Sequence, residues 1–200
     1  MRQSAATMWL AIFLVTTATA LAAQVKDLPD GWFRAGNRPA DYDMGVDASA
    51  GRTGGAAFIR ARTTTPGPGF ATIMQDFSGT DYLGKRLRLS GYIKAANVGD
   101  WAGLWLRVDG PSNAPLAFDN MQNRSIKGTQ AWRRYEIVLD VPAGATNIAF
   151  GMLLSGAGQV WMDDLQFDVV GSDVATTGSR IGQPPATSPK PPTPRNLAFD

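Results

Sequence analysis

The sequence predicts an all-β protein, a two-sheet antiparallel β-sandwich or a barrel of about eight strands. Three observations point there. From residue 46 to 170 short runs alternate apolar and polar side chains, the period-2 signature of strands with one buried face. Clusters of Gly, Pro, Asn and Asp separate those runs at short spacing. No 3.6-period apolar stripe persists long enough for a helix, and no strand–helix–strand rhythm appears.

The expected strands lie at 56–62, 70–77, 86–94, 101–109, 115–118, 132–141, 147–154 and 159–170. Turn chemistry falls between them at 65–69 (TPGPG), 98–100 (VGD), 110–113 (GPSN), 142–144 (PAG) and 155–158 (SGAG). Neighbouring side chains on a strand point to opposite faces, so the alternation assigns an inside. In 101–109, Ala102, Leu104, Leu106 and Val108 form an apolar face; Trp101, Gly103, Trp105, Arg107 and Asp109 share the other. In 86–94, Leu87, Leu89, Gly91 and Ile93 point inward and Arg88, Ser90, Tyr92 and Lys94 outward. Tyr135, Ile137, Leu139 and Val141, then Ile148, Phe150, Met152 and Leu154, supply the facing core.

The flanks differ in composition. Residues 1–23 have the three parts of a secretory signal peptide: Arg2, an apolar run from Met8 to Val15, and Ala20-Leu21-Ala22 as an A-x-A cleavage pattern. The apolar run is too short for a membrane span. The expected mature protein is periplasmic or secreted and not membrane-spanning. Residues 24–170 form the sandwich domain, with 24–45 as an irregular opening. Residues 171–195, rich in Pro, Thr, Ser and Gly, read as a linker or tail, and 196–200 as a short apolar motif.

Composition excludes several chemistries. With no cysteine and no histidine, thiol and Ser-His-Asp mechanisms and His-ligated zinc are ruled out. Nineteen basic residues against 17 acidic ones make no nucleic-acid footprint, so no nucleic-acid partner is expected. Glu136 is the one glutamate. An enzyme is therefore not the expectation; the pair worth testing as a glycosidase dyad would be Asp119 and Glu136.

The outward residues suggest a ligand. Tyr92, Trp101, Trp105 and Arg107 make an aromatic, polar-studded surface of the kind on which a pyranose ring packs while polar groups bond its hydroxyls. The alternative is that a loop over 111–129 covers Trp101 and Trp105 as a second small core. Trp132 and Trp161 read as core or core rim. Asp119, Asn120 and Gln122, after a short strand, are candidate hydrogen-bond partners for the same ligand, though such residues also cap turns. Asp163-Asp164 interrupts an apolar strand, where strict alternation buries one carboxylate; a bulge, backbone hydrogen bonds or a structural Ca²⁺ would each accommodate it.

Three segments resemble the jelly-roll carbohydrate-binding modules of the galactose-binding-like superfamily, of the family 4/9 and 22 type: LGKRLRLSGYIK at 83–94, WRRY at 132–135 and VWMDDLQF at 160–167. The resemblance covers roughly residues 80–170. It implies a non-catalytic module that binds an oligosaccharide or polysaccharide. It also implies a Ca²⁺ held between the closing strand and an opening N-x-x-F-E motif. Here that motif is missing from the opening, and Asn196-Leu197-Ala198-Phe199-Asp200 resembles it at the far end. Asp164 and Asp200 are then the candidate metal ligands, either because the tail folds back as a strand or because it begins a second module. The segments WAGLWLRVDG (101–110), LAFDNMQ (116–122) and IKGTQAW (126–132) also resemble a group of small exported bacterial proteins of unestablished activity. Some of that group carry transcriptional-regulator names, which the export signal and the missing helix-turn-helix pattern contradict. The expected function is an exported glycan-binding module of the cell envelope. The alternative is an envelope protein–protein interaction domain using the same aromatic face.

Overall fold

The structure is a computed structural model that describes residues 25–180 and 193–198. The expected signal peptide and Asp200 lie outside the described residues.

Among the described residues eleven strands form, all antiparallel: β1 (Val25–Lys26), β2 (Phe33–Gly36), β3 (Tyr42–Asp47), β4 (Ala56–Ala61), β5 (Phe70–Ser78), β6 (Arg86–Asp109), β7 (Pro115–Asp119), β8 (Ile126–Asp140), β9 (Asn147–Ser155), β10 (Gln159–Val170) and β11 (Ser179–Arg180). Helix is limited, among the described residues, to short 3-10 turns.

The two layers meet through β6, which is 24 residues long. Its first half, over 86–96, lies between β10 and β8; its second half, over 101–109, lies between β9 and β7. One layer therefore runs β1-β3-β4-β10-β6-β8 and the other β2-β5-β9-β6-β7-β11. The separate strands expected at 86–94 and 101–109 are one strand. The chain bends instead of reversing because Ala95, Val98 and Ala102 stay paired with Gln130, Gly128 and Ile126 through successive register shifts. Asn97 and Gly128, both at positive φ, take up the curvature. The same pairing starts β8 at Ile126, earlier than its composition suggests.

The opening, expected to be irregular, contains three strands. In β3, Tyr42, Met44 and Val46 are buried while Asp43 and Asp47 are partly exposed. Its aspartates and Gly45 look like turn chemistry when only the sequence is read. The core follows the expected alternation: Leu87, Leu89, Ile93, Leu104, Leu106, Ile137, Leu139, Ile148, Phe150, Met152 and Leu154 are all buried. Gly91 faces inward as well, and a Cβ there would lie 2.4 Å from Leu165 Cδ2, so Leu165 fills the space the glycine leaves. Phe77, Phe150 and Phe167 pack edge to face, with centroids 4.9–5.9 Å apart.

The segments beyond β10 lie on this body. Thr177 N donates to Val138 O (2.9 Å), and β11 pairs with β7. Further on, Arg195 N donates to Gln75 Oε1 (2.6 Å), and Arg195 O accepts from Gln75 Nε2 (2.9 Å) and from Trp32 Nε1 (3.1 Å). Leu165 N donates to Leu197 O (3.3 Å), and the Leu197 side chain packs on the core. Residues 193–198 make these contacts as a turn, without forming a strand.

Candidate functional site

The outer face of the second layer carries a cleft of about 580 Å³. Register explains its composition. Trp105 lies beside Gly151, and Gly151 beside Met74; Gly103 lies beside Leu153, and Leu153 beside Thr72; Arg107 lies beside Phe118. Gly151 cannot be larger, because a Cβ there would lie 2.1 Å from Ile73 O. At Gly103 a Cβ would come within 3.0 Å of Met121 Cβ and 3.2 Å of Asn120 O, so the bare position lets the Asn120–Met121 turn close over the strand.

The floor is Trp105, only 6% exposed. Its Nε1 donates to Thr72 Oγ1 (2.8 Å), which donates onward to Met152 O (2.8 Å). Trp105, Ala149 and Leu153 form a small second core against which Met74, Trp101 and Phe118 pack. The expected open platform is therefore divided. Trp105 is floor, whereas half-buried Trp101 and exposed Phe70 are walls that a ligand can touch. The far wall, Ala35 to Asn37, is held by Phe70 N donating to Asn37 Oδ1 (2.8 Å) and by Arg38 N donating to Phe70 O (3.1 Å). Gly36, at φ 119°, permits that approach: a Cβ there would lie 2.4 Å from Phe70 O.

Polar groups are few and placed. Arg107 enters the cleft with its guanidinium forked onto Asp109. Asn120, just past the end of β7, also lines the cleft, its Oδ1 accepting from Gln122 N (3.2 Å). Past Phe118 and Asn120, which line both spaces, a shallower depression of about 380 Å³ carries Gln122, Asn123 and Thr177.

The structure thus brings Trp101, Trp105, Arg107 and Asn120 to one cleft and Gln122 to its extension. Asp119 also lines that extension, as a buried group, and Tyr92 is elsewhere. Tyr92 sits in the first half of β6, in the other layer, where the Arg52 guanidinium stacks 3.6 Å over its ring. The bend in β6 separates it from Trp101, although strict alternation gives both an outward direction. Asp119 is buried at the end of β7, its carboxylate taken by Arg124 Nη1 (3.1 Å) and Nη2 (2.7 Å) and by Met121 N (2.8 Å). It shapes the turn that carries Asn120. Glu136 pairs with Arg134 on the first layer, so Asp119 and Glu136 flank no common space, and the residues lining the cleft include no carboxylate. Phe70, Phe118 and Asn37 went unrecognised as site residues; the outward phase of β5, with Phe70, Thr72 and Met74 in line, was the available signal for the first.

Asp163-Asp164 forms a bulge, with a register shift after Asp163 and Asp164 at φ 50°. Asp163 is buried and accepts from Arg52 N (2.7 Å) and Asp164 N (2.8 Å); burial pushes its carboxyl above the usual value. Asp164 pairs with the Arg52 guanidinium. A Ca²⁺ needs six to eight oxygens. Both side chains already have protein partners, and the described residues contain no group of three or more acidic ligands. Asp200 lies outside them. Trp161 lies on the rim of the first layer with Lys94 Nζ 4.8 Å over its ring.

No family model matches the chain. A Bacillus subtilis (strain 168) protein, named uncharacterized HTH-type transcriptional regulator YbfP, is 47% identical over 148 residues, 74% of this chain and 50% of its own length. The chain thus spans half the length of that relative. A match of that length includes much of the strand body, and no helix-turn-helix occurs among the described residues. Among solved structures, the enzymatically active domain of bacteriophage CBA120 tailspike protein 4 aligns with a TM-score of 0.56 and 13% identity, over 70% of this chain and 20% of that one. The CBM22-1 xylan-binding domain from Paenibacillus barcinonensis Xyn10C aligns with a TM-score of 0.51 and 16% identity, over 77% of this chain and 99% of that one. At these identities the likeness shows the fold alone: an all-β jelly roll.

Proposed function

We propose that this protein is an exported, non-catalytic glycan-binding module of the cell envelope, and that the cleft on the second layer takes the sugar. The observation that carries the reading is the cleft's composition. Trp101, Phe70 and Phe118 offer apolar faces, Trp105 closes the floor, and Arg107 and Asn120 supply hydrogen-bonding groups at the sides. Its volume is in the range of small-ligand sites, ~300–1,000 Å³. A sugar ring has the matching character, apolar on its C–H faces and polar at its rim. A solved neighbour of the same fold is named a xylan-binding domain, which supports the class without naming this ligand. Export rests on the N-terminal sequence alone.

The regulator relative bears on this reading through the half it shares. The matched 148 residues are half of a protein named an HTH-type regulator, and DNA binding is not proposed for this chain. Affinity electrophoresis in gels cast with soluble polysaccharides tests the proposal. The protein should be retarded by at least one polysaccharide, and Trp101→Ala should migrate as in a blank gel. Equal mobility of the folded wild-type protein in all gels would refute glycan binding and favour a protein partner for the aromatic face.

A further inference from the structure

One charged side chain lines the cleft, and it already has a counter-ion. Arg107 donates from Nε to Asp109 Oδ1 (2.7 Å) and from Nη2 to Asp109 Oδ2 (3.0 Å). Asp109 is 0% exposed, and its Oδ2 also accepts from Asn147 Nδ2 (2.9 Å). Asn147 is itself buried, and its Oδ1 has no hydrogen-bond partner. That amide is turned to serve the carboxylate, at the expense of its own carbonyl.

The consequence is electrostatic. A carboxylate taken out of water is costly unless charge and hydrogen bonds compensate it. Here Arg107 and Asn147 provide both. The guanidinium is thereby neutralised from below and fixed in plane by a two-point fork, with the rest of its five N–H donors left for the cleft. All other lining residues are aromatic, aliphatic, amide or hydroxyl. An acidic sugar would lose hydration against those walls and meet a cation whose charge is already balanced. An uncharged sugar loses less, and its hydroxyls and ring oxygen accept from a donor held in one orientation.

Building on the glycan-binding reading, we infer that the cleft selects uncharged glycans over acidic ones, and that buried Asp109 sets this selectivity by neutralising and orienting Arg107. Asp109 is a positioning residue and touches no sugar.

Isothermal titration of the whole protein with neutral oligosaccharides (xylo-, cello- and manno-hexaose) and acidic ones (oligogalacturonate, oligoguluronate) tests this at low and high salt. Wild-type protein should bind a neutral sugar with an affinity that salt barely changes, and acidic sugars about tenfold or more weakly. Asp109→Asn, nearly isosteric, leaves Arg107 uncompensated. Acidic sugars should then gain about tenfold, and that gain should vanish at high salt, a signature that loss of packing alone would not produce. If that variant does not fold, the double variant Arg107→Gln/Asp109→Asn removes both charges together. It should bind neutral sugars more weakly, having lost the Arg107 donors, and show no salt-sensitive gain for acidic ones. Acidic sugars binding wild type as well as neutral ones, with strong salt dependence, would overturn the selectivity while leaving glycan binding intact. So would selective loss of acidic binding in the double variant. Binding of neither class would overturn the glycan reading itself, and this inference with it.

Discussion

Trp105 and Trp101 sit four residues apart on one face of one strand yet have different tasks. Trp105 is buried and hydrogen-bonded to Thr72, so Trp105→Ala should cost about 3–5 kcal/mol in urea denaturation, as large aromatic truncations in cores do. Trp101→Ala should change stability by about 1 kcal/mol or less while removing sugar binding. If the two variants were equally stable, the division of the tryptophans into floor and wall would be wrong. Asp163 carries a pH prediction. Burial raises its pKa in the folded state above the unfolded value of 3.8, so the native state binds its proton first. As pH falls from neutral toward 3.8, wild type should gain stability relative to Asp163→Asn, and lose that gain as pH rises through the folded pKa. A melting-temperature difference that drifts the other way would contradict the desolvation cause. The outward direction of Trp101, Trp105 and Arg107 was legible because β6 alternates cleanly. Which of them a ligand can reach was not. That depends on Thr72 and Leu153 from strands β5 and β9, which alternation within one strand does not report.

At the scale of elements, β6 decides where everything lies. It belongs to both layers, so Tyr92 and Trp101 end on different sheets although both point outward. The sequence around 98–100 reads as a turn because Gly99 and Asp100 are turn residues, and the pairing with β8 that keeps the strand going is a long-range property. The short strands β1 and β2 were hidden for a related reason: an edge strand buries too little to show a pattern. The close seam between β5 and β9 makes a further prediction. Gly151→Ala would place a methyl group 2.1 Å from the backbone oxygen of Ile73. Backbone cannot step aside as a side chain does, so the substitution should cost about 3 kcal/mol or more in urea denaturation and distort the cleft floor. An alanine variant of unchanged stability would show that the two strands are not in this register.

At the scale of the whole molecule, the core and the all-β class were readable from period and turn chemistry, whereas the strand count, eleven among the described residues against about eight expected, and the placement of the C-terminal segment were not. Residues 195–197 supply acceptors to Trp32 and Gln75 and a leucine to the core, across more than a hundred residues of chain. Removing residues 181–200 should therefore lower stability by about 1–3 kcal/mol, the cost of withdrawing partners from buried polar groups. A truncated protein with an unchanged denaturation midpoint would show that the segment contributes nothing to the fold. The match to a named regulator spans half of that relative's length, and within this chain the proposed function rests on the cleft of the second layer.

The most direct test of that cleft is intrinsic tryptophan fluorescence of the protein, titrated with soluble neutral oligosaccharides beside Trp101→Ala. A saturable change in emission in the wild type, absent from the variant, is the expected result. A folded wild-type protein whose emission no sugar alters, or a variant that responds as the wild type does, would contradict the assignment of this cleft to glycan binding.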